Sequence, residues 1–404
     1  MFKKYIILFC CISAFFIDDV FSLNEAKDTK NSNNNGKIEL ADDSKLISLM
    51  DVKQKKVYIS HRKIAVNTKD RGVPSICLKL PKKKSIFFVK ENRKLKYVKS
   101  NLKQHIEKSL IANDVSPKLI KYIKKQLKYN TKTIKKHKEF VSRKMVDFID
   151  RYNIPERVKV GKLYKKMYKQ TLLEVENLFK TDPNILLTIW AMETKYGDFI
   201  GNYNAFSALY SACINAETEQ RLRYFEKNII YLAVLVDHGY FEKDVLSSFD
   251  GGLGGCQFMP ESFYSFGISL DKRKANIIND NKDVLSSIGN YLHSNGWRYK
   301  EGILTEVILP DNFDPCLIGM NTVKSIKEWK KLGVELHNNK IGAKHAKNEE
   351  TNVSIIVLDP DDYTNNIAKK RAFFVYDNYK VIMSYNPRLA YGLTAGLIFE
   401  CIGE

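Results

Sequence analysis

The sequence predicts a mainly α-helical protein with a small α/β subdomain inserted ahead of its last helix. Three observations carry that expectation. Apolar residues recur at helical spacing from Asn101 to about Trp297, as in Phe140-x-x-x-x-Met145-Val146-x-Phe148-Ile149 and Leu163-x-x-x-Met167-x-x-x-Thr171-Leu172. Between Ile303 and Tyr385 the pattern shifts to short strand-like runs separated by polar loops. After Asn386-Pro387, a helix-start signal with Asn as N-cap and Pro at the first helical position, Leu389 to Ile402 is apolar nearly all round and must be buried.

Taken in chain order, residues 1–22 read as a secretory signal. Lys3 and Lys4 precede an apolar run from Tyr5 to Ile17, and Ser22 supplies a small residue for cleavage. That run is too short to span a bilayer comfortably. A lipid anchor on Cys10 is disfavoured because bulky Phe9 precedes it. Residues 23–100 form a basic, partly disordered segment: Lys30-Asn31-Ser32-Asn33-Asn34-Asn35-Gly36 cannot bury enough surface to fold, and lysine runs follow. Residues 101–302 form the helical body. Residues 303–384 form the mixed subdomain, with strands at Val307 to Pro310, Val353 to Leu358 and Phe373 to Tyr376 and a helix around Ser325 to Leu332. Residues 385–404 return as a helix packed on the body.

The 404 residues are 44% hydrophobic, enough for a sizeable core, and carry 66 Lys+Arg against 46 Asp+Glu, a net charge of +20. That surface predicts a polyanionic partner, although charge runs are most often simply solvated faces. The seven cysteines include Cys10 and Cys11 of the signal. The rest are far apart with no C-x-x-C, so neither a disulfide framework nor a zinc site is signalled. Walker, Rossmann, G-x-S-x-G and H-E-x-x-H motifs are missing from the sequence, which removes nucleotide, serine-hydrolase and zincin readings. No cofactor and no metal ion are expected.

Two segments stand out chemically. In Thr181-Asp182-Pro183 through Glu193-Thr194-Lys195-Tyr196-Gly197, Asp182 caps, Pro183 opens and Gly197 ends one helix. Glu193 shares a face with Ile185, Leu186 and Ile189 near the C-terminal end. Desolvation and the negative end of the helix dipole both disfavour its charge, which is how a glutamic acid is kept protonated for general-acid work. The plain alternative is an ion pair with Lys195 or exposure at the helix end. The second segment, Ser247-Ser248-Phe249-Asp250-Gly251-Gly252-Leu253-Gly254-Gly255-Cys256-Gln257-Phe258-Met259-Pro260, is glycine-rich and leads into a helix. Such glycines allow close backbone approach to a ligand or a helix, or make a plain flexible connection.

Together, Glu193-Thr-Lys-Tyr-Gly, Ser248-Phe-x-Gly-Gly-x-Gly-x-x-Gln257-Phe-Met-Pro, Asn290-Tyr-Leu-x-x-x-Gly296-Trp297 and Tyr385-Asn386 resemble the membrane-bound lytic murein transglycosylase B family from about Asn101 to Ile402. The resemblance implies a lysozyme-like helical catalytic domain and cleavage of the β-1,4 bond between N-acetylmuramic acid and N-acetylglucosamine in peptidoglycan. It puts the sole catalytic acid/base on Glu193. It implies sugar contacts from Ser248 and Gln257, a cleft shaped by Phe258 and Met259, a grip from Arg221, and closure by Tyr385, Asn386 and Tyr391. From the residues alone, Asn386 also reads as a helix cap and Tyr391 as core. The implied partner is the glycan strand in the periplasm. The basic N-terminal segment lies outside the resemblance, and its charge is expected to tether the protein to an anionic wall or membrane surface; the export signal argues against a nucleic-acid partner.

The sequence departs from the family in three places. Gln220-Arg221 stands where a tandem arginine is usual. Cys256 replaces a glycine, which is expected to put a thiol at the cleft. The segment Ser269 to Asp280, where some relatives carry a calcium loop, has Arg273, Lys274 and Ala275 at positions unsuited to calcium. A muramidase that uses water, a non-catalytic peptidoglycan-binding scaffold and a polyanion-binding protein are the competing readings.

Overall fold

The computed structural model describes residues 99–141, 145–337, 341–358 and 370–403. The expected signal, Cys10 and almost all of the basic segment lie outside the described residues.

The body comprises α1 (Leu102–Ala112), α2 (Pro117–Gln126), α3 (Thr131–Val141), α4 (Met145–Asp150), α5 (Ile154–Met167), α6 (Lys169–Phe179), α7 (Pro183–Thr194), α8 (Ala205–Asn215), α9 (Glu219–Asp237), α10 (Pro260–Phe266) and α11 (Asn281–Ser294). Helix α7 lies at its centre, against α5, α6, α11 and the last helix. Every residue from Ile185 to Thr194 is buried, so α7 is enclosed on all sides rather than exposed along one face. A two-residue ribbon, β1 (Tyr203–Asn204) with β2 (Leu246–Ser247), pairs Tyr203 with Ser247. It holds the start of the glycine-rich segment beside the chain that leaves α7.

The expected subdomain is a five-stranded antiparallel sheet in the order β4-β6-β7-β3-β5, built from β3 (Leu304–Ile308), β4 (Gly319–Ser325), β5 (Glu335–Leu336), β6 (Asn352–Val357) and β7 (Ala372–Val375). Its faces belong to two different cores. Ile356, Phe373 and Val375 join the main core, while Val353, Ile355, Val357, Ala372 and Phe374 pack with Trp329 in a smaller one. Period-two alternation therefore sends apolar side chains both ways, and the sheet is a wall between two apolar volumes. Helix α12 (Ile326–Lys331) starts in a capping box, with Ser325 Oγ accepting from Glu328 N and the Glu328 side chain accepting from Ser325 N.

Two helices close the chain, α13 (Asp377–Tyr385) and α14 (Leu389–Gly403). Helix α14 is buried almost throughout, as its composition requires, and packs on α4, α5, α7, α13 and β3. A Cβ at Gly396 would overlap the Leu304 side chain, so this glycine sets how closely α14 lies on β3.

Three local expectations are corrected. Asn386 does not cap the last helix with Pro387 at its first position. It ends α13, its Oδ1 accepts from Arg388 N at 3.2 Å, and α14 begins only at Leu389. Leu163 and Met167 are 56% and 68% exposed, because α5 and α6 are separate helices that break at Tyr168. The inward face is carried by Tyr164 and Tyr168, whose rings sit 5.4 and 5.6 Å from Trp190. Asp182 holds the N-cap position of α7 but makes no side-chain cap. Its Oδ2 accepts from Trp297 Nε1 at 2.9 Å and from Lys300 N at 3.3 Å, and burial pushes its pKa up despite these bonds.

Candidate active site

Glu193 sits in the last turn of α7 and is 3% exposed. The turn ends where Lys195 and Tyr196 take positive φ, 52° and 63°. Lys195 N donates to Ala191 O and Tyr196 N to Trp190 O. The helix thus stops at Thr194, before Gly197. Lys195 Nζ pairs with Glu156 on α5 at 3.2 Å, which draws it to that helix. From α5, buried Arg157 donates through Nη1 to Ala191 O at 2.5 Å, and Tyr196 Oη returns a bond to Arg157 O at 2.7 Å. A guanidinium at the C-terminal end of α7 opposes the negative end of its dipole, although burial pulls the Arg157 pKa down.

The acid meets the far end of the chain. Tyr391 Oη, on α14 and 1% exposed, donates to Glu193 Oε1 at 2.5 Å. Nearby, Phe258, Tyr291 and Tyr385 form an aromatic cluster, with Tyr291 centred 5.5 Å from Phe258 and 4.8 Å from Tyr385. Tyr385 Oη donates to Cys256 O at 2.6 Å and Tyr291 Oη to Ser384 O at 2.6 Å, so the cluster ties α11 and α13 to the glycine-rich segment. Burial pushes the Tyr291 pKa up to about 12, with the Glu193 charge acting in the same direction against the Ser384 bond.

The glycine-rich segment folds into a tight loop over Ser248. Ser248 N donates to Gly252 O and Gly252 N to Ser248 Oγ, both at 2.9 Å. Gln257, at φ 51°, donates through Nε2 to Ile200 O and Gly254 O, each at 3.0 Å. Its Oε1 is buried without a hydrogen-bond partner among the described residues. Gly252 touches both polar side chains, since a Cβ there would lie 3.0 Å from Gln257 Oε1 and 3.1 Å from Ser248 Oγ. Thr194 Oγ1 donates to Gly255 O at 3.2 Å, fastening the loop to the residue next to Glu193.

Arg221, in the first turn of α9, is half-buried and bonded to His137 Nε2 at 3.2 Å. His137 Nδ1 in turn lies 2.9 Å from Asp250 Oδ1, so Arg221 is linked to the loop through a histidine. Met259 occupies the N-cap position of α10 and Asn386 the turn before α14; both are buried and shape local backbone. The Cys256 thiol does not open at a cleft: it is fully buried, Sγ lies 3.4 Å from Val284 O, and burial pushes its pKa well up. The residues that sequence reasoning missed are Thr194, Arg157, Tyr291, His137 and Asp250. Thr194 and Tyr291 lie within the motifs that carry the resemblance and Asp250 is the charged residue of the glycine-rich segment, whereas Arg157 and His137 carried no signal.

The segment corresponding to a calcium loop does not fit that ion. The Arg273 guanidinium occupies the space between the carboxylates, 2.8 Å from Asp283, 2.5 Å from Asp280 and 3.7 Å from Asp271. Asp280 also caps α11 through Oδ1. A fixed cation from the chain already pairs with these acids and offsets part of their charge.

Residues 98–399 match the family described as Transglycosylase SLT domain. Over 144 residues the chain is 25% identical to Membrane-bound lytic murein transglycosylase B of Escherichia coli (strain K12), a match covering 35% of this chain and 39% of that protein. The chain therefore spans well under half of that relative. Its fold is similar to that of SltB3 from Pseudomonas aeruginosa in complex with NAG-anhNAM-pentapeptide, with a TM-score of 0.65 and 22% identity over 74% of this chain and 78% of that one. It is also similar to the Escherichia coli lytic transglycosylase Slt35 in complex with calcium, with a TM-score of 0.62 and 17% identity over 74% and 92%. Those likenesses agree with the lysozyme-like helical body and its inserted sheet. Because the family match runs across nearly all of the described residues, from ahead of α1 into α14, the chain belongs to the transglycosylase SLT domain family.

Proposed function

We propose that this protein is a lytic transglycosylase that cleaves the β-1,4 bond between N-acetylmuramic acid and N-acetylglucosamine of peptidoglycan without consuming water. The observation that carries the reading is the buried Glu193 carboxyl group, held at the end of α7 by the Tyr391 hydroxyl. In the first step Glu193, protonated, donates to the glycosidic oxygen as the bond to C1 breaks. The substrate's 2-acetamido group stabilises the cationic sugar, so a second carboxylate of the usual glycosidase pair is unnecessary. Tyr391 Oη stabilises the carboxylate this step leaves behind, since a hydrogen bond to a charged acceptor is the stronger kind. Glu193 then takes the proton of the C6 hydroxyl of the muramic acid, that oxygen closes on C1, and a 1,6-anhydro ring forms.

Ser248 and Gln257 suit acetamido and hydroxyl groups, and Oε1 of Gln257 is an acceptor lacking a protein partner among the described residues. Arg221 adds a guanidinium to the grip, while Phe258 and Tyr385 line the site with aromatic surface. The reading extends to an exported, periplasmic protein whose basic N-terminal segment associates with the wall or an anionic membrane. It needs no cofactor. The test is mass spectrometry of fragments released from purified sacculi by the wild type and by Glu193→Gln. Release of anhydro-muropeptides by the wild type alone supports the proposal. Sacculus binding without release by either protein would make it a scaffold.

A further inference from the structure

Three elements far apart in sequence meet at His137. The residue projects from α3, and its side chain is 13% exposed. Nδ1 lies 2.9 and 3.1 Å from the two oxygens of Asp250, which is 3% exposed within the glycine-rich loop. Nε2 lies 3.2 Å from Arg221 Nη2 on α9. The ring packs edge-on to Phe249, centroids 6.3 Å apart, and Arg221 lies over Phe225 at 5.9 Å.

The donors and acceptors allow one arrangement. A guanidinium carries N–H groups and no acceptor, so Nε2 must present a lone pair to Arg221. An ionised carboxylate only accepts, so Nδ1 must carry the proton. We propose that His137 is the positioning residue for Arg221: a neutral imidazole, protonated on Nδ1, that couples the buried Asp250 carboxylate to the guanidinium and fixes its orientation beside the glycine-rich loop. A guanidinium held in this way has a set plane, which fixes the direction in which its N–H groups meet acceptor oxygens of a bound substrate. Asp250 lies midway in sequence between Ser248 and Gly252, whose backbone bonds to Ser248 close the loop and which leaves little room for a Cβ beside Gln257, so the same link sets Arg221 relative to Ser248 and Gln257. The kinetic consequence rests on the glycan-strand reading; the proton arrangement does not.

One readout addresses the proton and another the kinetics. In the full chain labelled with 15N-histidine, the His137 ring signals, identified among the seven histidines by their loss in His137→Gln, report which nitrogen is protonated. The expected result is a protonated Nδ1 and an unprotonated Nε2 at neutral pH. A protonated Nε2 overturns the proposal, whatever the activity. On purified sacculi, His137→Ala is expected to raise KM about tenfold, as for loss of a hydrogen bond to a charged group, with a smaller fall in kcat. His137→Gln, whose amide can both donate to Asp250 and accept from Arg221, restores most of it. The double variant with Arg221→Ala should be no worse than Arg221→Ala alone, because one effect runs through the other. Additive losses would mean that His137 merely supports the fold. If the wild type releases nothing from sacculi, the glycan-strand reading fails and the ring-nitrogen measurement still decides the positioning role.

Discussion

Tyr391 Oη lies 2.5 Å from Glu193 Oε1, joining residues 198 positions apart in the chain. The last helix, α14, thus completes the site that α7 begins, and the sheet inserted between them in sequence sets where α14 returns.

Tyr391→Phe removes the hydroxyl and keeps the ring, which packs in the main core. The expected outcome is a folded protein whose kcat on peptidoglycan falls by about ten- to a hundredfold, the worth of a hydrogen bond to a charged group. Steady-state release of fragments, with circular dichroism to verify folding, measures it; unchanged kcat would remove Tyr391 from the mechanism.

Gly252→Ala places a methyl group 3.0 Å from Gln257 Oε1 and 3.1 Å from Ser248 Oγ. The methyl group also meets the Gln257 backbone carbonyl at 3.0 Å, so the backbone and the amide of Gln257 both have to give by a few tenths of an ångström. Lower kcat/KM with an almost unchanged melting temperature is expected, and activity at the wild-type level would show that Gln257 does not contact substrate.

Arg273→Ala leaves Asp271, Asp280 and the fully buried Asp283 without the guanidinium now among them. Loss of about 1–3 kcal/mol is expected, below that of a fully buried pair because Arg273 is partly exposed. Thermal unfolding with chelator and with added calcium extends the test. The wild type should respond to neither, whereas calcium should recover part of the variant's loss. A wild-type melting temperature that falls on chelation would contradict this reading of the loop.

Asp182 has a raised pKa in the folded state, burial being the main cause. A raised value means that the native state binds the proton more tightly than the unfolded chain. Native stability therefore increases as pH falls from above the raised value towards the ordinary value near 3.8, and the gain is lost again as pH rises through the folded value. Asp182→Asn keeps an acceptor for Trp297 Nε1 and cannot titrate. Denaturant unfolding of both proteins between about pH 7 and pH 4 should show the wild type gaining on the variant as pH falls. Parallel curves would refute the shift.

Much of this fold is legible in the sequence because it rests on local chemistry. The apolar run from Leu389 to Ile402 can only be a buried helix, and Ser325 three residues ahead of Glu328 marks α12 with its capping box. The misreadings have physical causes. The period through Leu163 and Met167 crosses a helix break at Tyr168, and aromatic packing on Trp190 decides which face turns inward. Asp182 has the chemistry of a cap, but the Trp297 indole claims its carboxylate. Asn386-Pro387 reads equally well as a helix start and as a break between two helices, and here it is the break that separates α13 from α14.

The site is legible in part. Glu193 and the glycine-rich loop stand out because a carboxylate in an apolar helix and clustered glycines are unusual in composition. The partners of Glu193 and Arg221 are not legible, because Tyr391 and His137 reach them through tertiary packing that no local period encodes. Cys256 is misread for the same reason: its position in the loop gives no sign that its side chain turns towards Val284 on α11.

Whether Glu193 delivers the muramic acid C6 hydroxyl or water to C1 decides between transglycosylase and hydrolase. Digestion of purified sacculi in 18O-labelled water, followed by mass spectrometry of the released fragments, tests this most directly. Anhydro-muropeptides without 18O at C1 are expected, with no release by Glu193→Gln. Reducing-end fragments carrying 18O would contradict the proposed mechanism and identify a hydrolase.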